Sequence, residues 1–140
     1  MELQVHHIGI VVDDIDKAKG VYEKIFGLEV IGRKMVDEFN AECAFILVGN
    51  TYLELVKPTA NDGLAKFLEK HGSGTLHHIC YIVDDMEEGW RHFQEKGLRS
   101  VTGDPRFTAT FGKAMFFHPK DTGNVLIEFV TKAACPLPSK

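Results

Sequence analysis

The stretch His6-His7-Ile8-Gly9-Ile10-Val11-Val12-Asp13-Asp14 returns as His77-His78-Ile79-Cys80-Tyr81-Ile82-Val83-Asp84-Asp85, 71 residues further along the chain. A repeat of this kind governs the whole fold, so it is read before anything else. Two more matches follow in the same order. Gly27-Leu28 returns as Gly97-Leu98 at an offset of 70, and Leu53-Glu54-Leu55-Val56 returns as Ile127-Glu128-Phe129-Val130 at 74. Ordered matches at a nearly constant offset mean a duplication.

Each copy reads as βαβββ. Residues 5–12 and 77–83 are apolar runs rich in Ile and Val, of strand length. Asp13 or Asp14 then suits a helix N-cap, with Ile15, Ala18, Tyr22, Ile25 and Phe26 following at helical spacing. Gly27 stands where a helix end favours a left-handed residue. In the second copy Met86, Trp90 and Phe93 make the stripe and Gly97 the stop. Strand-like stretches follow at 28–36, 43–48 and 52–57, then at 98–102, 114–118 and 125–131. Leu64, Phe67, Leu68 and His71 predict a linking helix over about 61–71, closed by Gly72-Ser73-Gly74. The expected architecture is α+β, with modules at about 5–57 and 76–131 in a single 1–140 domain. A four-stranded unit leaves one face bare, so the copies are expected to pair into one curved mixed sheet around a shared cavity.

Composition agrees with one folded domain. The chain has 140 residues, 44% of them apolar and 26% charged, enough for a core without disulfide staples. Sixteen Lys and Arg against 20 Asp and Glu leave a net charge of −4, which argues against a nucleic-acid partner. Cys43, Cys80 and Cys135 are odd in number and lack C-x-x-C spacing, which reads as reduced thiols. No leader-like segment and no bilayer-length apolar run is visible, so a cytoplasmic protein without a membrane partner is expected. Residues 133–140 carry two prolines and read as a loose tail.

Against this apolar background four polar residues stand out. Side chains alternate along a strand, so His7 shares a face with Gly9 and Val11, and His78 with Cys80 and Ile82. Glu54 lies within Tyr-Leu-Glu-Leu-Val and Glu128 within Val-Leu-Ile-Glu-Phe-Val. A lone strand Glu is usually solvated, and a lone His is usually an ordinary core or surface residue. Recurrence of both types at equivalent places points instead to a mixed N and O site for one divalent metal. Two buried carboxylates would each cost several kcal/mol unpaired, and a dication neutralises both. The donor set suits Co²⁺, Mn²⁺, Ni²⁺ or Zn²⁺ with positions left for substrate oxygens.

From about residue 5 to 131 the chain resembles the vicinal oxygen chelate (glyoxalase-like) superfamily, and within it the methylmalonyl-CoA epimerases. The resemblance is carried by His6-His7-Ile8-Gly9-Ile10-Val11-Val12, Leu53-Glu54-Leu55-Val56-Lys57-Pro58-Thr59 and Lys66-Phe67-Leu68. It continues through His77-His78-Ile79, Phe117-His118-Pro119-Lys120-Asp121 and Val125-Leu126-Ile127-Glu128. It implies His7, Glu54, His78 and Glu128 as metal ligands, Glu128 as a catalytic base, an acyl-CoA substrate and a homodimer. Epimerisation beside a thioester removes a proton from one face and returns it on the other, so a second acid/base group is expected.

In the epimerase family that second group is a Glu on the third strand of the first module, and the matching position here is Cys43. If Gly49-Asn50 is a two-residue hairpin turn, Phe45 pairs with Glu54 and Cys43 shares their face. Glu42 then points away, because a one-residue slip reverses every side chain. Cysteine acts as a base where local positive charge lowers its pKa, and otherwise packs as a small hydrophobe. No cation stands near Cys43 in the sequence, so the packing role is preferred. Phe107 and Phe111 in the 105–113 stretch suggest a bulkier pocket, equally readable as core packing. Arg106, Lys113 and Lys120 are candidate anion contacts, though surface cations commonly serve solubility alone. His118-Pro119 reads as a turn. The alternatives to an epimerase are a glyoxalase I-type lyase and a non-catalytic small-molecule binder.

Overall fold

The structure is a computed structural model that describes residues 2–101, 106–108 and 112–131, with side chains for 2–101 and 114–131. The side chains of Arg106, Phe107, Phe111 and Lys113, together with Cys135 and the proline-bearing tail, lie outside the described residues. The chain forms two compact units, one of them His7–His77, the other running from His78 together with the residues before His7.

The first unit holds most of β1 (Gln4–Val11), then α1 (Ile15–Phe26), β2 (Val30–Val36), β3 (Ala41–Val48), β4 (Thr51–Pro58) and the linking helix α2 (Gly63–His71). Its strands run in the order β2-β3-β4-β1, with β1 parallel to β4 and the other pairs antiparallel. The second copy supplies β5 (Thr75–Val83), α3 (Met86–Glu95), β6 (Arg106–Thr108), β7 (Gly112–Phe117) and β8 (Leu126–Thr131), in the order β5-β8-β7-β6. Here β5 is parallel to β8, and the remaining pairs are antiparallel. The strands of each unit form a mixed sheet, and the fold is α+β. No helix among the described residues is long and apolar enough to cross a membrane.

Helix starts repeat as the Asp-Asp pairs predict, and the second Asp is the cap each time. Asp14 accepts from the Lys17 amide and Asp85 from the Glu88 amide, satisfying one otherwise unpaired N–H at each helix start. Asp13 turns instead to Ser73, whose hydroxyl donates to its carboxylate at 3.1 Å. Gly27 closes α1 with φ at 66°, a left-handed conformation that a β-carbon would strain.

The pleat sorts each strand between two faces. In the first unit Val12, Ile15, Ala44, Ile46 and Leu55 form the buried cluster under α1, joined by Ile10, Tyr22 and Leu53. In the second, Val83, Met86, Met115, Phe117 and Phe129 form the equivalent cluster under α3, joined by Tyr81, Trp90 and Phe93. His7, Glu54, His78 and Glu128 alternate with these residues and so lie on the face turned from the helices.

One expected strand is misplaced. Of the expected 98–102 strand, residues 98–101 are described and make a single bridge, Ser100 to Phe117, and the named strand beyond β7 is Arg106–Thr108. Backbone bonds flank that bridge, from the His118 amide to the Arg99 carbonyl at 2.8 Å and from the Val101 amide to the Phe116 carbonyl at 2.9 Å. The Arg99 amide bonds the Asp121 carboxylate at 2.9 Å, so it is unavailable to a ladder. The Arg99 guanidinium closes the same carboxylate at 2.9 and 3.1 Å.

Candidate metal centre and active site

Each unit carries one buried His–Glu pair. In the first, β1 and β4 run parallel with His7 beside Tyr52 and Gly9 beside Glu54. The His7 Nε2 lies 3.6 Å from a Glu54 Oε1, with His7 fully buried and Glu54 4% exposed. In the second, β5 and β8 run parallel with His78 beside Leu126 and Cys80 beside Glu128. The His78 Nε2 lies 3.3 Å from a Glu128 Oε1, and both residues are buried. The arrangement is the same twice, as a duplicated sequence requires.

The spacing within each pair fits two ligands of one ion. Atoms each about 2.1 Å from a metal lie about 3.0 Å apart at a right angle and about 3.4 Å at the tetrahedral angle. The 3.3 Å of the His78–Glu128 pair falls in that range, and the 3.6 Å of the His7–Glu54 pair lies just beyond it. Imidazole and carboxylate are also the donor types that first-row divalent ions accept, and His7, Glu54 and His78 are buried groups able to ligate.

The two carboxylates differ in their surroundings. Glu54 stands opposite Phe45 on β3 and beside Gly9 on β1, and both neighbours are buried, Phe45 completely. Glu128 stands opposite Phe116 on β7 and beside Cys80 on β5. Cys80 is fully buried, while Phe116 is partly exposed. Glu128 is thus flanked by one side chain with exposed surface, and Glu54 is flanked by none.

Cys43 takes the predicted place. The hairpin register runs Val48–Thr51, Leu47–Tyr52, Ile46–Leu53, Phe45–Glu54 and Cys43–Val56, with Gly49 at φ 63° opening the turn. Cys43 is 4% exposed on the face of Phe45 and Glu54. Glu42 points the other way, where the Arg33 guanidinium reaches it at 3.2 Å and Asp16 at 2.8 Å. That bridge holds the Asp16 carboxyl below the usual carboxylate range, through hydrogen bonding and then the Arg33 charge.

Two features escaped the sequence reading. Lys34 is the register partner of Cys43 across β2–β3, which supplies a cation where the linear sequence offered none. Its side chain is exposed, so its charge is solvated and screened. The second is Phe116, whose position opposite Glu128 depends on the β7–β8 register. His118-Pro119 makes the expected turn. The His118 Nδ1 accepts from the Lys120 amide at 3.3 Å, and Pro119 opens a one-turn 3-10 helix ending at Asp121.

A duplicated βαβββ unit that presents a buried His–Glu pair from each copy defines a class of protein. The chain belongs to the glyoxalase/bleomycin resistance protein/dioxygenase superfamily, whose family model matches residues 6–117. Within it, the chain is 34% identical over 126 residues to the mitochondrial methylmalonyl-CoA epimerase of Homo sapiens, covering 89% of this chain and 72% of that protein. It is 33% identical to the ethylmalonyl-CoA/methylmalonyl-CoA epimerase of Cereibacter sphaeroides, over 89% of this chain and 95% of that one. A solved methylmalonyl-CoA epimerase in complex with methylmalonyl-CoA and NH4+ matches it with a TM-score of 0.87 at 32% identity, covering 99% of this chain and 100% of the other. A Streptomyces coelicolor methylmalonyl-CoA epimerase variant in complex with 2-nitronate-propionyl-CoA gives 0.86 at 33% identity, over 94% and 98%.

Proposed function

We propose that this protein is a metal-dependent epimerase of a 2-substituted malonyl thioester, of the methylmalonyl-CoA type, with Glu128 as its principal acid/base. The observation that carries the assignment is the asymmetry between the two pairs: Glu128 has a partly exposed cross-strand neighbour, and both neighbours of Glu54 are buried. The likeness to proteins named as methylmalonyl-CoA epimerases supplies the substrate class. A cytoplasmic homodimer is part of the same reading and rests on the family and on the reduced-thiol composition.

In this reading His7, Glu54, His78 and Glu128 hold one divalent ion, with cobalt, manganese, nickel and zinc all compatible with the donor set. Such an ion, when bound, supplies Lewis-acid stabilisation to negatively charged substrate oxygens. The protein's own part is proton movement. Glu128 removes the proton at C2 and holds it beside the planar carbon, shielded by Phe116 and Cys80. Cys43, packed on the first unit's equivalent face, is a filler of volume. The opposite face then takes its proton from water, and the proton held by Glu128 passes to the hydroxide left behind, which restores the carboxylate.

The test is proton exchange at C2 of methylmalonyl-CoA in deuterated buffer, with added Co²⁺ and with inversion followed in parallel. Exchange together with about one metal per chain by elemental analysis is the expected result. Metal-supplemented protein that exchanges no proton overturns the epimerase reading, and turnover of a glutathione hemithioacetal instead establishes the lyase.

A further inference from the structure

Glu128 has two cross-strand neighbours, and they differ in access. Cys80, beside it on β5, is fully buried. Phe116, opposite it on β7, is partly exposed. Directly opposed residues of antiparallel strands set their β-carbons about 4.5–5.5 Å apart, so the Phe116 ring stands beside the Glu128 carboxylate. The same ring meets His78 edge to face, with centroids 6.4 Å apart and planes at 71°. The equivalent residue of the first unit, Phe45 opposite Glu54, has no exposure at all. The aromatic ring at this place is sealed in one copy and partly exposed in the other.

We propose that Phe116 is a specificity-determining residue, forming the apolar wall against which the alkyl substituent on the reacting carbon packs. The inference rests on the epimerase reading, and its chemistry is steric. A base removes a proton only from an atom within hydrogen-bond reach, which brings C2 within about one side-chain length of Glu128. Of the two cross-strand neighbours of Glu128, only Phe116 has surface that a ligand can touch. Its ring meets His78 edge to face, which orients it beside Glu128. A methyl group needs less of the space beside that ring than an ethyl or propyl group. Discrimination of about 10- to 200-fold per methylene is the usual reach of such a wall.

The experiment compares wild type with Phe116→Ala and Phe116→Leu in the metal-supplemented full chain. Two quantities are read: the ratio of kcat/KM for ethylmalonyl-CoA over methylmalonyl-CoA, and the ratio of dissociation constants for butyryl-CoA and propionyl-CoA. Phe116→Ala is expected to move both ratios toward the longer chain by about tenfold or more, with Phe116→Leu between it and wild type. Phe116→Leu keeps most of the apolar volume and carries the same test should the alanine variant fold poorly. Unchanged ratios in a folded variant overturn the proposal, even if overall activity falls. Loss of C2 exchange in wild type instead removes the epimerase reading, and the binding ratio alone then decides whether Phe116 is the wall.

Discussion

Ala18 and Ala44 of the first module correspond to Gly89 and Met115 of the second, each 71 residues on. The helix gives up a methyl group where the facing strand gains a long side chain. A β-carbon added at Gly89 would lie 3.4 Å from the Met115 Cε and 3.5 Å from a Val83 methyl. Around this exchange the two cores diverge further. Ile46 and Leu55 under α1 become Phe117 and Phe129 under α3, where Phe93 stacks on Phe129 at 4.4 Å and Trp90 on Phe117 at 5.9 Å. On the opposite face the His–Glu pair is the same in both modules. Cores accept exchange of hydrophobic residues when volume and pattern are kept. A buried carboxylate and imidazole have no such freedom, because each polar atom needs its partner. The difference separates what holds each module together from what both modules are for.

The strongest way to break the comparison is to remove charge from each Glu in turn. Glu128→Gln is expected to lose about 10²–10⁴-fold in C2 exchange, the usual worth of general acid/base catalysis, while its amide oxygen can still face a cation. Glu54→Gln should lose metal affinity in the same degree as Glu128→Gln but retain more of the turnover measured at saturating metal. Equal losses of turnover in both variants would mean that the two pairs are chemically equivalent. The asymmetry in their neighbours would then be without consequence.

The repeat and both pairs were legible because they depend only on local pattern. A strand of alternating side chains fixes which residues share a face, and the Gly49-Asn50 turn is too short to allow more than one β3–β4 register. Longer connections carry no such constraint. The β2–β3 register passes through a 3-10 turn at Asp37–Phe39 and an irregularity between Val30 and Gly32, which hid Lys34 opposite Cys43. The position of Phe116 likewise depends on a connection with two left-handed residues, Gly123 and Asn124. In the expected 98–102 strand the described residues keep one bridge to β7, while the Arg99 amide goes to the Asp121 side chain instead of a strand partner. Tertiary hydrogen bonds of that kind leave no periodic trace.

Cys43 and Ala114 occupy equivalent places, opposite Val56 and Val130. The second module thus does with a methyl what the first does with a thiol. Cys43→Ala is therefore expected to keep turnover within about tenfold, with any loss arising from packing. An unactivated thiol is only a few per cent ionised near neutral pH, and the exposed Lys34 is too well solvated to change that. Lys34→Met should accordingly leave inversion unaltered. Abolished turnover in Cys43→Ala with metal content intact would make the thiol a second base. Restored or faster inversion in Cys43→Glu would point to a scaffold that has lost one carboxylate.

The Ala18 and Gly89 exchange predicts a smaller effect. Replacing Gly by Ala inside a helix removes backbone entropy worth about 0.5–1 kcal/mol. At Gly89 the added methyl meets the flexible end of Met115 at an ordinary contact distance. Gly89→Ala is therefore expected to raise stability by up to about 1 kcal/mol in urea titration, and Ala18→Gly to lower it by about as much. A destabilised Gly89→Ala would mean that Met115 cannot give way and that the aromatic core is the tighter of the two.

The smallest effect distinguishes the modules by acid. In the second, the Arg99 guanidinium and amide hold the Asp121 carboxyl down to about 2. In the first, Arg33 lowers Asp16 but also bonds Glu42. A carboxyl with a depressed folded-state pKa binds its proton more readily in the unfolded chain. Its stabilisation is therefore complete above the unfolded value near 3.9 and is lost as pH falls through the folded one. For Asp121 that window runs from about 4 down to about 2. Both pairs are exposed, so the effect on Tm is modest and shrinks in salt. Asp121→Asn should lower Tm at pH 6, and the difference from wild type should shrink to a small remainder by pH 2. Asp16→Asn should cost less at pH 6, because Arg33 keeps Glu42, whereas Arg99 loses both guanidinium bonds to Asp121. A Tm difference for Asp121→Asn as large at pH 2 as at pH 6 would show that the side chain acts through the shape of the 99–121 contact rather than through its charge.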